Sequence, residues 1–187
     1  VATFYYKFDQ EEVISYYSEL SRNTNLPLFI YNFPSNSGVQ LTNGALDTLL
    51  ALPNVAGIKH TSNDFFQLER IKTKHPNLIV WNGYDEMLLS GLVAGADGGI
   101  GSTYNCMPHR ILDIYQAYKS HNLEKARTLQ QSVNEAVEIM VKYGVFQSVK
   151  ALLEFQGFGM NGCRSPFKPL SRKALAELEI VHELILA

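Results

Sequence analysis

Residues 54–62, which read Asn-Val-Ala-Gly-Ile-Lys-His-Thr-Ser, are the part of the sequence that decides the fold. Residues 54–59 carry apolar side chains at both odd and even positions, which is typical of a parallel strand covered on both faces. The same pattern recurs at residues 26–32, 78–82 and 96–101. Because an amphipathic stretch follows each of these segments, the sequence predicts repeated strand–helix units of an α/β protein.

Residues suited to begin helices precede the amphipathic stretches. Asp9, with Glu12 three residues later, has the spacing of a capping box. The other predicted helix starts are Thr42, Ser62 or Asn63, Asp85 and Pro108. Beyond residue 120 the strand pattern stops, and helices are predicted over residues 122–143, 145–156 and 171–186.

The spacing of the units fits two architectures. An open doubly wound sheet and a TIM (β/α)8 barrel both alternate strands and helices in this way. A full barrel needs eight units and about 250 residues, whereas four complete units are visible here, with residues 1–4 as the tail of an earlier strand. The predicted domains are therefore a partial barrel over residues 1–120 and a three-helix extension over residues 121–187.

The composition excludes several classes of protein. The 187 residues are 46% hydrophobic and 18% charged, which is enough apolar sequence to form a core. The net charge of −2 argues against a nucleic-acid-binding surface, and no apolar run approaches the roughly 20 residues of a membrane span. Because the two cysteines and the histidines show no disulfide or metal-site spacing, we expect a metal-free protein in the reducing cytoplasm.

Lys59 is the strongest candidate for a catalytic residue. Active sites of parallel α/β folds gather at the C-terminal ends of strands, and Lys59 closes an apolar strand there. Partial shielding from water favours a neutral amine, which attacks carbonyl carbons. Tyr31 ends the preceding strand, and a phenol beside an amine can relay a proton. The alternatives are a lysine that only reaches towards solvent and a tyrosine that only fills the barrel interior.

Two further strand ends carry candidate ligands for a substrate. Asp85 and Glu86 follow the third strand, where paired carboxylates can bind hydroxyl groups or act as acid and base. Alternatively, they only complement the dipole of a helix start. Residues 98–102, Gly-Gly-Ile-Gly-Ser, either let a ligand approach the backbone or form a tight strand–helix junction. Because the neighbouring carboxylates would repel a phosphate, an uncharged polyol is favoured as the ligand.

Four motifs at these strand ends resemble those of one enzyme family. Residues 31–38 (Tyr-Asn-Phe-Pro-Ser-Asn-Ser-Gly) and 57–62 (Gly-Ile-Lys-His-Thr-Ser) are similar to the YNxPxxxG and GxKxTS motifs of the pyruvate-dependent class I aldolases, which include the dihydrodipicolinate synthases. Residues 82–86 and 98–105 resemble the branch of that family that cleaves N-acetylneuraminate, a sialic acid. The resemblance covers essentially the whole chain.

The resemblance implies a fold, a reaction and a set of site residues. The implied fold is a TIM barrel followed by three helices, assembled as a homotetramer when full length. Lys59 would form an imine with C2 of the open-chain sialic acid, and Tyr31 would relay the proton of the C4 hydroxyl, so that N-acetylmannosamine and then pyruvate are released. This covalent chemistry implies no metal and no organic cofactor. The implied substrate-binding residues are Thr61, Gly83, Asp85, Glu86, Gly101, Ser102, Tyr5 and Phe146.

The chain departs from this family in its length. Family members carry roughly 100 further N-terminal residues, which hold the first strands of the barrel and a loop that binds the substrate carboxylate. We therefore expect an N-terminally truncated barrel, from about strand 4 or 5 to strand 8. Its two exposed sheet edges predict low stability or aggregation, and little or no activity of the chain alone.

Two other functions remain open from the sequence. Another aldolase of the family, acting on a dihydrodipicolinate-type precursor or a keto-deoxy sugar acid, would share Lys59 and Tyr31 but not need Asp85 and Glu86. A non-catalytic family member that binds sugar or pyruvate would show binding without turnover, and the presence of both Lys59 and Tyr31 argues against it.

Overall fold

The computed structural model describes residues 6–186, which alternate strands and helices up to residue 100 and form helices joined by connecting segments thereafter. The chain divides into two compact units, the first ending at Ile100 and the second beginning at Gly101. The elements of the first unit are α1 (Gln10–Arg22), β1 (Leu28–Asn32), α2 (Pro34–Ser37), α3 (Asn43–Leu50), β2 (Val55–His60), α4 (Phe65–Lys74), β3 (Ile79–Asn82), α5 (Leu88–Val93) and β4 (Gly98–Gly99). The helices of the second unit are α6 (Pro108–Lys119), α7 (Leu123–Tyr143), α8 (Val145–Phe155) and α9 (Arg172–Leu186).

The four strands of the first unit form one parallel sheet in the order β1-β2-β3-β4. Its register places Tyr31 of β1 opposite Lys59 of β2, and Lys59 opposite Trp81 of β3. Because all four strands run in the same direction, their C-terminal ends meet at one edge of the sheet. The α/β class and the parallel sheet predicted from the sequence are therefore confirmed, whereas the closed eight-stranded barrel stays a prediction.

One face of this sheet is covered by helices of the first unit. Ile30, Ile58 and Val80 lie opposite one another on neighbouring strands and are almost completely buried. They pack in one cluster with Leu49 of α3 and Leu68 of α4, which are equally buried. Burial of each such side chain contributes about 1.5–3 kcal/mol, so this layer fixes the strands on which the candidate site is built.

Two predicted helix starts of the first unit are confirmed in detail. The carboxylate of Asp9 accepts a hydrogen bond from the Glu12 N–H (2.9 Å), and the Glu12 carboxylate accepts one from the Asp9 N–H (2.8 Å), which completes the predicted capping box. The hydroxyl of Thr42 accepts a hydrogen bond from the Ala45 N–H at the start of α3 (3.3 Å). In both cases the side chain satisfies an N–H group that the helix itself leaves unpaired.

The predicted start of α4 at Ser62 or Asn63 is wrong. Asp64 caps this helix, since its carboxylate accepts the Gln67 N–H at 2.8 Å. The Ser62 hydroxyl instead accepts the N–H of Asp64 (3.1 Å) and so shapes the turn before the helix. Residues 61–63 belong to the loop at the sheet edge, which is why the helix starts later than predicted.

The fourth predicted unit is shorter and less regular than expected. The predicted strand over residues 96–101 is only the pair Gly98–Gly99, since glycine has little preference for an extended strand and no side chain to pack. The predicted helix start at Asp85 is a 3₁₀ turn over Asp85–Met87, which leads into α5. Gly95, at φ 106°, follows that helix as expected for its C-terminal glycine.

The second unit is a group of helices around its own core. Ile114, Met140, Leu152 and Leu178, one from each helix, are fully buried. The guanidinium of Arg110 donates to the Leu184 carbonyl oxygen near the C-terminal end of α9 (2.9 Å), where a positive charge complements the helix dipole. The helices predicted beyond residue 120 are confirmed to within one or two residues.

Some predictions concern features that the structure does not decide. The predicted strand tail at residues 1–4 lies outside the described residues. The predicted domain boundary after residue 120 stays a prediction, while the compact units divide after Ile100. Within residues 6–186 no helix has both the length and the apolar character that crossing a membrane requires.

Candidate active site

The candidate site lies at the edge of the sheet where the strands of the first unit end. Hydrogen bonds between strands continue past these ends: the Thr61 N–H donates to the Asn32 carbonyl oxygen (2.8 Å), and the Gly83 N–H donates to the His60 carbonyl oxygen (3.0 Å). Thr61 and Gly83 are therefore held as firmly as residues within the strands, which is how a parallel sheet positions side chains for chemistry.

Lys59 and Tyr31 are brought together as the sequence predicted. They lie opposite one another on β2 and β1 and point to the same face of the sheet, where both are half-buried. The Lys59 Nζ donates a hydrogen bond to the Tyr31 Oη at 3.1 Å and lies 4.3 Å from the centre of the tyrosine ring. At this distance, the amine can form an imine with a carbonyl compound bound there, while the phenol exchanges a proton with the same compound.

An aromatic layer lies on the same face, next to this pair. The rings of Phe29 and Trp81 stack with their centres 4.3 Å apart, across the intervening strand β2. Gly57 makes this possible, because a Cβ there would collide with the Ile79 carbonyl oxygen and approach the Phe29 ring to 2.7 Å. Trp81 also lies opposite Lys59 in the sheet, so the lysine stem is flanked by aromatic side chains on both neighbouring strands.

Tyr84 connects the loops that follow β1 and β3. Its hydroxyl lies 3.1 Å from the Ser35 hydroxyl, and its ring packs edge-on against Phe33, which in turn stacks on Tyr31. A cleft of about 390 Å³ opens beside this contact. It is lined by Pro34, Ser35, Gly38, Gln40, Thr61, Ser62, Asn63, Asp64 and Tyr84. The lining is rich in hydroxyl, amide and carboxylate groups, which suits a polar ligand of the size of a sugar.

Thr61 contributes a buried hydroxyl to this cleft. The residue is 3% exposed, and its Oγ1 has no hydrogen-bond partner among the described residues. Burying a hydroxyl without a hydrogen-bond partner makes folding less favourable. Such a group is therefore typical of a site that a ligand completes. This placement agrees with the predicted role of Thr61 in lining the pocket, and that role remains a prediction.

The two candidate carboxylates differ in exposure. Asp85 is buried at 7% exposed, whereas Glu86, its neighbour in the 3₁₀ turn, is exposed. The turn is placed by Asn82, whose side-chain amide donates to the Tyr84 carbonyl oxygen. Because Gly91 lacks a side chain, α5 can approach Asn82 closely; a Cβ at Gly91 would come within 2.6 Å of its side chain. The turn that carries both carboxylates is therefore anchored to the end of β3.

A buried polar network, for which the sequence predicted no role, lies on the opposite face of the sheet. It links Asn32, His60 and Gln67, which are at most 4% exposed. Burial lowers the pKa of His60, while the carbonyl and the charge of Asp64 oppose that effect. The only signal for this network in the sequence is that each of Asn32 and His60 directly follows a predicted catalytic residue.

Comparison with known proteins decides the family. The model of the dihydrodipicolinate synthetase family matches residues 1–184. The chain belongs to this family. The resemblance inferred from the strand-end motifs is therefore confirmed.

Members of the dihydrodipicolinate synthetase family that resemble this chain include named lyases. An N-acetylneuraminate lyase of Escherichia fergusonii is 41% identical over 188 aligned positions, which span 100% of this chain and 63% of the relative. The chain thus spans less than two thirds of the length of such relatives.

Solved structures of similar proteins share the fold. The structure of CdNal from Clostridium difficile in complex with mannosamine has a TM-score of 0.92 at 33% identity, covering 96% of this chain and 62% of that chain. The N-acetylneuraminate lyase of Fusobacterium nucleatum complexed with pyruvate has a TM-score of 0.91 at 32% identity, covering 97% of this chain and 62% of that chain.

Of the remaining predicted site residues of this family member, three lie in the second unit and one lies outside the described residues. Gly101, Ser102 and Phe146 belong to the second unit, and Tyr5 lies outside the described residues. Ser102 directly precedes a 3₁₀ turn (Thr103–Asn105), and its carbonyl oxygen accepts a hydrogen bond from the Asn105 side chain (2.9 Å). Phe146 is exposed, with its ring centre 5.9 Å from that of Phe167. Their roles in substrate binding stay predictions.

Proposed function

We propose that this chain carries the catalytic pair of a Schiff-base aldolase that cleaves N-acetylneuraminate to N-acetylmannosamine and pyruvate and also catalyses the reverse addition. The observation that carries the proposal is the hydrogen bond of 3.1 Å between the Lys59 Nζ and the Tyr31 Oη at the end of the sheet. Similar members of the same family are named N-acetylneuraminate lyases, which supports the choice of substrate.

Lys59 supplies the electron sink in the proposed reaction. Its neutral amine attacks the C2 ketone of the open-chain sialic acid, water leaves, and a protonated imine forms. When the C3–C4 bond breaks, its electron pair moves through C3 and C2 to the imine nitrogen and gives an enamine. Protonation at C3 and hydrolysis by water then release pyruvate and regenerate the Lys59 amine. The imine takes the place of a metal or organic cofactor in this scheme.

Tyr31 moves the proton that cleavage requires. The C4 hydroxyl must lose its proton as the C3–C4 bond breaks, so that N-acetylmannosamine leaves as an aldehyde. Tyr31 relays that proton, and in the reverse direction it returns it to the new C4 oxygen. The position of its phenol beside the Lys59 amine supports this assignment, because the reacting carbon chain must be bonded to that amine.

The polar residues at the sheet edge bind the substrate in this proposal. Thr61 lines the pocket, and Gly83, Asp85 and Glu86 bind hydroxyls of the polyol tail. For Gly101, Ser102, Tyr5 and Phe146, the substrate-binding role rests on the family resemblance alone. The buried Thr61 hydroxyl and the polar lining of the cleft support a hydroxyl-rich ligand. Carboxylates accept hydrogen bonds from sugar hydroxyls in two directions each, which is why Asp85 and Glu86 suit the tail.

Imine trapping tests the proposed function. The protein is incubated with pyruvate, with any residues that precede Val1 or follow Ala187 present, then reduced with borohydride, and its peptides are mapped by mass spectrometry. We expect an adduct on Lys59, no adduct in Lys59→Met, and a normal adduct in Lys125→Met, which alters an exposed lysine of α7. Absence of label on Lys59 in the unaltered protein would reject the proposal.

Turnover must then be measured with the sugar itself. We expect release of pyruvate from N-acetylneuraminate, and its absence in the presence of a normal imine would indicate a different aldehyde partner or a protein that only binds. The same assay on residues 1–187 alone tests the prediction that this part of the protein has little or no activity.

A further inference from the structure

Two consecutive residue pairs across β1 and β2 carry side chains that face in opposite directions. Tyr31 lies opposite Lys59, and one residue later Asn32 lies opposite His60. Because side chains alternate along a strand, the first pair faces the candidate site and the second pair faces the helices. The two pairs also differ in burial: Tyr31 and Lys59 are half-buried, whereas Asn32 is 3% exposed and His60 is fully buried.

The second pair belongs to a chain of hydrogen bonds whose directions are fixed at both ends. The Gln67 Nε2 donates to the Leu41 carbonyl oxygen (3.0 Å), which can only accept, so the Gln67 Oε1 faces Asn32. The Asn32 Nδ2 contacts both this Oε1 (3.5 Å) and the His60 Nδ1 (3.1 Å). The His60 Nδ1 is therefore the acceptor.

At the other end of the chain the same imidazole is a donor. The His60 Nε2 lies 3.2 Å from the carbonyl oxygen of Asp64, which again can only accept. His60 is thus held as one neutral tautomer, protonated on Nε2, and burial favours this neutral form because it lowers the pKa of the ring. The chain ends at Asp64, the residue that caps α4 and closes the loop after Thr61.

The hydrogen bond between Asn32 and His60 constrains the same two backbones that carry Tyr31 and Lys59. Each residue of the buried pair is bonded covalently to one residue of the catalytic pair, so a shift of β1 against β2 would change both side-chain distances together. The ladder of the parallel sheet and the buried cluster that contains Ile30 and Ile58 hold the two strands in register, and the Asn32–His60 bond adds a side-chain constraint one residue from the catalytic pair. In enzymes, a displacement of about 1 Å in such a pair can lower the rate by up to about a hundredfold.

We propose that His60 is a positioning residue, which holds Lys59 and Tyr31 at reacting distance through its Nδ1 hydrogen bond to Asn32 on the opposite face of the sheet. This inference rests on the proposed function, since it concerns the same catalytic pair. His60 does not touch the substrate side of the sheet, and it acts only through the two strands.

Three substitutions of His60 separate the two bonds of its ring. His60→Leu removes both, and His60→Asn retains an acceptor near the position of Nδ1. His60→Gln retains a donor near the position of Nε2. Ile58→Val is the matched control, because Ile58 is fully buried on the same face of the same strand but makes no polar contact. The four variants are made in the protein with any residues beyond 1–187 present.

The measurements are the rate of imine trapping with saturating pyruvate, and kcat and KM for N-acetylneuraminate cleavage. We expect His60→Leu and His60→Gln to lower the trapping rate and kcat at least about tenfold, with KM changed less than about threefold. His60→Asn should restore kcat to within about threefold of the unaltered protein, and Ile58→Val should not lower it more than that. A network with a merely structural role would not produce this order among the variants.

Two results would overturn the inference. If folded His60→Leu and His60→Gln proteins retain the kcat of Ile58→Val, or if Gln restores it as well as Asn, the Nδ1 bond does not position the pair. If the unaltered protein forms no imine on Lys59, the proposed function fails and the positioning role is rejected with it. The first result leaves imine formation intact and the second abolishes it, so the two failures are distinguishable.

Discussion

Gly83 lies directly against Thr61, so close that a Cβ on Gly83 would occupy the space of the Thr61 hydroxyl. The two residues follow β3 and β2, and each backbone N–H continues the hydrogen bonding of the sheet. Neither backbone can move away without breaking these bonds. Because Gly83 has no side chain, it leaves the space that the buried Thr61 hydroxyl occupies at the cleft.

Gly83→Ala should consequently disturb the site rather than the core. We expect kcat/KM for N-acetylneuraminate to fall at least about tenfold, because the Thr61 side chain must rotate or shift, and overpacking should cost about 1–3 kcal/mol of unfolding free energy. Gly44→Ala is the control, since a Cβ at Gly44 in α3 meets no atom within 4 Å. Steady-state kinetics and urea unfolding of both variants check this, and equal kinetics would contradict the prediction.

Tyr31→Phe should separate imine formation from carbon–carbon cleavage. Without its phenol the site retains the Lys59 amine but loses the proton relay, so we expect cleavage to slow by about 10²–10⁴-fold while pyruvate is still trapped on Lys59. Tyr16→Phe, at an exposed tyrosine of α1, should leave both readouts unchanged. Loss of the trapped adduct together with cleavage would show that Tyr31 acts earlier, in imine formation.

Substitution of Asp85 and Glu86 should impair cleavage of the sugar without preventing imine formation on Lys59. We expect the double variant Asp85→Asn and Glu86→Gln to lose N-acetylneuraminate cleavage by more than about a hundredfold, since two carboxylates that accept hydrogen bonds from the polyol tail would become neutral amides. Pyruvate trapping on Lys59 should persist. Because Asp85 is buried, Glu86→Gln alone is the variant that leaves the fold undisturbed, and Glu11→Gln on α1 is its control. Equal survival of both activities would reject the polyol assignment.

The sequence predicted the positions of Lys59 and Tyr31, the proposed catalytic pair, because they follow from the alternation of strands and helices. Lys59 and Tyr31 both end apolar strands, and parallel strands necessarily end at one edge. The hydrogen bond between their side chains also requires that β1 and β2 pair with Tyr31 opposite Lys59, and no local pattern in the sequence specifies this register. The register depends on the packing of Ile30 and Ile58 in one cluster and on the bond between Asn32 and His60 on the opposite face.

Other parts of the site could not be predicted because they depend on contacts distant in sequence. The contact between Ser35 and Tyr84 joins residues 49 positions apart, and no local pattern indicates it. The start of α4 was predicted too early because Ser62, Asn63 and Asp64 are all good capping residues. Only the extension of the sheet through Thr61 leaves Asp64 as the residue that caps the helix.

The pH dependence of stability provides a test of the state of His60 in the folded protein. Its pKa is lowered on folding, first by burial, so the unfolded chain binds a proton that the folded chain does not as the pH falls below about 6.5. Above that pH, the contribution of neutral His60 to the unfolding free energy is fully present. This contribution decreases as the pH falls towards the pKa of His60 in the folded protein, by at most about 1.4 kcal/mol per pH unit.

His60→Asn isolates this contribution from those of other groups. Asp47, whose pKa is lowered first by its hydrogen bond from Lys74 and further by His75, titrates in both proteins and cancels in the difference. We therefore expect the unfolding free energy, measured in urea between pH 7.5 and 5, to fall more steeply with decreasing pH in the unaltered protein than in His60→Asn. Parallel curves would show that His60 is protonated equally in the folded and unfolded states, and that its Nδ1 does not accept the Asn32 hydrogen bond at low pH.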